Sequence, residues 1–367
     1  MVLNCKGWLL HVSIEQDKAI LWIKTEDRKI LRLTDSYNPF FYILPRNEYD
    51  GNYLFHVLYQ QTIVRKVGWE ENKSTNLFEE YSKRKLICVT TESVQSYNVL
   101  LKRLEEDSRV KQVFNTDLSH VQQYLFHRLK IEPTSKVEVE YDGLKVINLT
   151  KVEDEDEIPP PPFLILYIEV QTFSGKINTE EPIAMIKSQY EDVSDPQWAL
   201  ETSFDSEDEK DILESFCSYV QDKDPDILVF EGDHYANTIL DYLFTRMVRM
   251  GLELDIGRDK RARNALLASL KHPGKHWIKG RLAISDKSAG RYSSVLDRFG
   301  SAGLIELCRF SFLTLDLAAK YGMNRLVDNR NCYELQRGYV IPKRGSSSNN
   351  HEHIRTIEEL VSNDRGG

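Results

Sequence analysis

Cysteine is scarce in this chain of 367 residues, and its five copies (Cys5, Cys88, Cys217, Cys308, Cys332) are widely spaced. That spacing gives neither a zinc knuckle nor a disulfide framework, so the five are read as small buried hydrophobes. Long apolar runs are missing too, which excludes a bilayer span. The stretch Met1–Trp8 lacks the basic start and apolar centre of a signal peptide, so the expected location is cytoplasmic, with no membrane partner. An excess of base is also absent. With 57 acidic and 48 basic residues the formal charge is −9, which argues against a uniformly basic nucleic-acid binder.

What is present describes a soluble globular protein, 41% hydrophobic and 29% charged, long enough for two or three domains with sizeable cores. The charge is segregated. Acid concentrates at Glu153–Glu157 and between Glu201 and Asp211, whereas base concentrates between Arg246 and Arg291. Such a chain can repel DNA over one face and attract it over another. Lys271, Lys275, Lys279 and Arg281 surround Trp277, a pattern suited to phosphate contact with base stacking. The plainer alternative is a solvated loop anchored by Trp277.

Periodicity divides the chain. Leu10–Ile23 alternates as a hairpin about the polar turn Glu15–Lys18, with short strands at Ile30–Leu33 and Phe40–Leu44. Helices are expected at Val94–Glu106 and Val121–Leu129. Five acidic residues and four prolines within Glu153–Pro162 then mark a stiff, solvated boundary. Beyond it strands alternate with helices, as in an α/β layer structure. Phe163–Val170 is a strand, Pro182–Ser188 an edge-like strand, Asp208–Lys223 a helix, Asp226–Phe230 a strand and Tyr235–Met250 a helix. Further helices are expected at Ala262–Leu270, Gly303–Tyr321 and Asn331–Gly338, with a loop composition at Gly345–Asn350.

Two buried-strand runs break into acidic turns: Phe163-Leu-Ile-Leu-Tyr-Ile-Glu-Val170 and Asp224-Pro-Asp-Ile-Leu-Val-Phe-Glu-Gly-Asp233. Together they resemble the first two motifs of the 3′–5′ exonuclease domain of archaeal family B DNA polymerases. Ser36–Leu44, Thr116–Leu125, Pro182–Ile186, Glu306–Pro342 and Asp364–Gly367 resemble further segments of that family. The resemblance implies an α+β and α/β architecture in which a ribonuclease-H-like exonuclease-type domain (163–325) is embedded in a discontinuous mixed N-terminal domain. That domain would comprise residues 1–150 and, after the 151–162 linker, a return segment at 326–367 leading to an absent palm. It also implies a role in DNA replication or repair. The implied partners are a template or primer single strand, the palm, fingers and thumb domains in cis or trans, and a sliding clamp. No cofactor is expected for this chain, with Mg²⁺ belonging to the intact polymerase.

The family site uses four carboxylates to hold two divalent ions that hydrolyse a terminal phosphodiester. Here Tyr167 stands at the first Asp, and a neutral phenol is a poor Mg²⁺ ligand. Glu169 is retained as the one remaining metal ligand, Ala236 replaces the second-motif Asp, and the Tyr292–Asp297 spacing is one residue too long for the third motif. Tyr167, Glu169, Asp233 and Ala236 are therefore read as remnants of an exonuclease site that no longer proofreads, and the chain alone as non-catalytic. One alternative is an active nuclease with Glu231, Asp233 or Asp241 as substitute ligands, although Asp at such a turn more often caps a helix. Another is a non-catalytic replisome interaction module. The resemblance further places a template-base pocket at Pro39, Tyr42, His120 and Gln123, where Gln123 replaces an arginine and so loses its fixed donor fork.

Overall fold

The computed structural model describes residues 1–15, 17–75, 83–152, 160–232, 234, 236–253, 255–258, 277–278, 280–286, 295–336 and 338–342. Strands β1 (Val2–Glu15), β2 (Lys18–Thr25) and β3 (Ile30–Ser36) form an antiparallel meander. A βαββαβ unit follows: β4 (Phe40–Pro45), α1 (Glu48–Tyr59), β5 (Val64–Ser74), β6 (Lys83–Thr91), α2 (Val94–Glu105) and β7 (Val110–Phe114). Its sheet runs β5-β6-β4-β7, with Leu54, Leu58, Leu100 and Leu104 of the two helices packed on Phe41, Ile43, Ile87 and Val89.

The chain then returns through α3 (His120–Gln123), which widens into a π-helical turn, Tyr124–Leu129, and stops at Lys130 in a left-handed conformation. Strands β8 (Lys136–Asp142) and β9 (Lys145–Lys151) close a five-stranded barrel in the order β1-β2-β3-β9-β8. Side chains alternate along a strand, and both faces of β1 and β2 are used. Leu9, Leu21 and Ile23 fill the barrel with Tyr124, Leu125 and Phe126, whereas Trp8, Leu10, Ile20 and Trp22 point outward into a second core.

That second core belongs to a six-stranded sheet: β10 (Leu164–Thr172), β11 (Ile183–Asp192), β12 (Asp195–Asp205), β13 (Ile227–Phe230), β14 (Trp277–Ile278) and β15 (Arg281–Ser285), in the order β12-β11-β10-β13-β15-β14. The first three pair antiparallel, and β10, β13 and β15 run parallel. Helices α4 (Glu209–Lys223) and α5 (Ala236–Arg249) cover one face. The other face meets α6 (Val295–Ser311), α7 (Leu315–Lys320), the start of α8 (Met323–Leu335) and the outside of the barrel.

Several expectations need correction. Strand β11 is internal, because β12 lies outside it. The segment expected as one helix from Gly303 to Tyr321 is two: α6 begins at Val295, bends at Gly300 and ends before Phe312, whose φ of 56° stops it. Phe312 is held there by stacking on Tyr333, centroids 3.8 Å apart. Helix α8 starts at Met323, well before Asn331. The helix expected at 262–270 and the loop at 345–350 lie outside the described residues. The final described segment does run back to the N-terminal region. Val340 N–H donates to Ser74 O at 3.0 Å, and Asn115 N–H donates to Ile341 O at 2.7 Å.

The barrel and the second sheet are joined by buried charge. Lys24 of β2 and Asp226, just before β13, are 1% and 0% exposed, with Nζ 2.9 Å from Oδ2. Asp226 also accepts from Arg258 Nη2 at 2.7 Å and from the Leu164 N–H at 2.9 Å. Because removing the shared carboxylate strands a buried ammonium, Asp226→Ala should cost about 3–5 kcal/mol. Lys24→Met leaves Arg258 against Asp226 and should cost less. Urea unfolding of the two variants reads that order.

Candidate functional site

Strand β10 carries the first-motif positions. Its odd-numbered residues share the face of the sheet that packs on α6 and α7: Phe163 and Ile165 are core there, with Tyr167 half-buried beside them. Tyr167 is not open toward a ligand. Its hydroxyl donates to Glu191 Oε2 at 2.7 Å, and the other oxygen of Glu191 accepts from Ser301 on α6. Burial, followed by the bond to Glu191 and its charge, pushes the phenol well above its ordinary pKa. Tyr167 therefore stays neutral and acts as a bracket between β10, β11 and, through Glu191, α6.

Glu169 lies two residues further along the same face and is partly exposed. Its carboxylate accepts from Gln171 Nε2 at 2.8 Å and faces Lys187 Nζ at 4.0 Å. Lys187 is its cross-strand partner on β11. Glu231 and Asp286 follow the last residues of β13 and β15, and the pairing of Ile168, Phe230 and Ser285 sets them in register beside Glu169 of β10. Burial raises the Glu231 pKa, and the charges of Asp286 and Glu169 raise it further. An open cleft of about 450 Å³ lies over this edge, lined by Glu169, Lys187, Ser188, Gln189, Glu201, Thr202, Ser203 and Glu231. Among the described residues no group of three or more His, Cys, Asp or Glu side chains is placed to hold a metal ion.

The remaining sequence-derived positions scatter. Ala236 is fully buried at the start of α5, its N–H donating to Ser285 Oγ at 2.6 Å and its methyl packed in the core under α4 and α5. Asp233, Lys271, Lys275 and Lys279 lie outside the described residues, as does Tyr292, while Asp297 falls in the first turn of α6. Trp277 is on β14, paired with Leu282. Asp241 lies on α5. Arg281 is a correction: it is 1% exposed, and its guanidinium bonds Asp224 Oδ1 at 2.6 Å and the carbonyls of Ile256 and Pro225 at 2.8 Å. A guanidinium sealed in this way cannot reach a phosphate.

Of the proposed template-base residues, His120 and Gln123 meet at Tyr37. The Tyr37 hydroxyl is 2.9 Å from His120 Nδ1 and donates to Gln123 Oε1 at 3.1 Å. Gln123 also takes the Phe40 N–H and donates to Asn115 O, so its amide is spent internally. Pro39 O accepts from Thr91, and the Tyr42 hydroxyl donates to Glu70 at 3.3 Å. Sequence reasoning missed Lys187, Glu191, Ser301 and Asp286. Only Asp286 left a signal, an apolar strand ending in an acid like the two motifs already recognised.

No family model matches the chain, and no curated protein matches it. Among solved structures, the family B DNA polymerase from the hyperthermophilic archaeon Pyrobaculum calidifontis is similar, with a TM-score of 0.68 and 18% sequence identity over 94% of this chain. The match covers 52% of that polymerase, so this chain spans about half its length. At such identity the likeness establishes the mixed α+β fold and its resemblance to part of a family B polymerase chain.

The crowding at Glu231 has a measurable consequence. A carboxyl whose folded pKa is raised contributes stability below its ordinary value near 4.5 and loses it as the pH rises past that value. Glu231→Gln should therefore unfold like the parent at pH 4 and be more stable at pH 7, by roughly a few tenths of a kcal/mol after solvent screening. Denaturant midpoints at the two pH values provide the check.

Proposed function

We propose that the chain is the N-terminal and exonuclease-like part of a family B DNA polymerase whose proofreading site has been dismantled, leaving a scaffold that guides a DNA strand. The six-stranded sheet is then a ribonuclease-H-like domain set into a discontinuous N-terminal domain. The partners are a template or primer strand and the palm, fingers and thumb domains, with Mg²⁺ used in the polymerase half, in the cytoplasm. One observation carries this reading: the phenol of Tyr167 is tied to Glu191 at the position where the family motif has a metal-binding aspartate. Glu169, its surviving neighbour, faces the Lys187 ammonium and the Gln171 amide. Two Mg²⁺ ions need several converging oxygens, and among the described residues no three or more His, Cys, Asp or Glu side chains converge to hold one. Lys271, Lys275 and Lys279, with Trp277, remain the proposed basic contact to DNA, without Arg281.

A second reading, an active nuclease with rebuilt ligands, draws on the adjacency of Glu169, Glu231 and Asp286 on three neighbouring parallel strands. A single experiment separates the two. Single-stranded DNA incubated with the chain and Mg²⁺ or Mn²⁺ should keep its length, and Glu169→Ala should change nothing. Metal-dependent shortening from the 3′ end that disappears in Glu169→Ala would establish the nuclease.

A further inference from the structure

A scaffold that guides DNA needs a surface that attracts it, and the acidic cleft beside Glu169 is poorly charged for that purpose. We infer that the outer face of the four-stranded sheet at β5 and β6, centred on Gly68, is a contact surface for single-stranded nucleic acid. The inference rests on the proposed DNA-guiding role and names its surface.

Charge is the first ground. Register places Lys66, Lys73 and Arg84 on the Gly68 face against Glu70, whereas Lys85 lies over Trp69 on the face covered by the helices. The Gly68 face thus has a local excess of base within a chain whose formal charge is −9. Lys85 faces Glu71 at 3.5 Å and Arg65 faces Glu92 at 3.6 Å. Lys66 and Lys73 have no carboxylate within ion-pairing distance among the described residues. Ammonium groups left in this way bind phosphates and release counterions.

Shape is the second ground. Register sets Gly68 beside Cys88 and Cys88 beside Tyr42 across the sheet. A Cβ added at Gly68 would meet no atom within 4 Å, so the strand interior opens a gap where a side chain would otherwise stand. A strand glycine is found at bulges, bends and sites of close approach, and Gly68 itself lies in regular pairing between two bulges of β5, which leaves room for close approach. The neighbouring part of the face is already covered, because Tyr42, Leu86 and Phe114 are buried with Val340. Beside it, among the described residues, Lys66 is exposed and Gly68, Lys73 and Cys88 are partly exposed, a strip of at most two strands, or roughly 10 Å, which suits one nucleic-acid strand better than a duplex.

The border of the strip supplies recognition chemistry. The His127 ring stands edge-on to Phe40 with centroids 4.5 Å apart, and its Nε2 is buried without a hydrogen-bond partner among the described residues. Burial, with the charges of Lys73 and Lys130, pushes its pKa down to about 4, so the ring is neutral near pH 7. Lys73, paired with Arg84 on the same face, acts electrostatically on both His127 and Cys88, so its cation lies near the gap and the ring. Phosphates would follow Lys66 and Lys73, and a base would settle over Gly68 with an edge toward His127.

Fluorescence anisotropy of a labelled oligothymidylate with the full chain tests this, using Gly68→Val to fill the gap and a Lys66→Ala/Lys73→Ala double variant to remove charge. Thermal unfolding confirms that each variant is folded. Each should weaken binding at least about tenfold, and the double variant should flatten the slope of log affinity against log salt by about 1.4, the amount expected for two lost phosphate contacts on a single strand. Binding by the parent with both variants unchanged would overturn this surface and leave the DNA-guiding role standing. No binding by the parent at low salt would overturn both. Equal displacement by a polyglutamate peptide would show that the strip takes any acidic polymer and would overturn its assignment to nucleic acid.

Discussion

Asp226 has no contact with water, and the arrangement of the whole chain depends on how its charge is satisfied. A buried carboxylate survives only if donors reach each of its oxygens. Here they come from separate parts of the sequence: Lys24 from the barrel, the Leu164 N–H from the first strand of the second sheet, and Arg258 from the segment after α5. Asp224, two residues earlier, binds Arg258 and Arg281. The cluster fixes how β2 lies against β13 and β15, and the tryptophan side chains of β1 and β2 then fill the seam. Gly280, held at φ +94° with Trp22 close by, lets the backbone approach that seam. Position and orientation of the candidate cleft follow from this junction, since the strand that carries Glu169 and the strands that lead into Glu231 and Asp286 begin beside it.

Much of the fold could be read from the chain, for specific reasons. Strands β1, β2, β4, β10 and β13 are buried on both faces or alternate clearly, and α2 and α4 present apolar residues at helical spacing. Strand β12 is an edge that runs through Glu201, Thr202 and Ser203 between its apolar residues, so its pairing leaves no hydrophobic period. The break between α6 and α7 rests on tertiary stacking around Phe312, which spacing cannot reveal. Strands β5 to β9 were missed because their charged residues hide the period.

The site was legible to the same extent. Tyr167 and Glu169 were locatable from an apolar run ending in an acid. Their partners Lys187 and Glu191 were not, because cross-strand neighbours depend on register across a hairpin of unknown length. Arg281 shows the opposite error. Counted in a basic stretch it suggests a phosphate contact, but the folded chain buries it against Asp224. Charge along a sequence says how many cations exist and nothing about which of them meet solvent.

The bridge between Ser74 and Tyr339, with that between Phe114 and Pro342, bears on how the chain is made. During synthesis from the N-terminus, the barrel and the βαββαβ unit leave the ribosome long before the segment that completes them. Contacts so distant in sequence are slow to form, and until they form the face holding Phe114 is uncovered. The second sheet must therefore fold while its host is unfinished, which makes the interval before residue 342 emerges the period when this protein is most open to aggregation or chaperone capture.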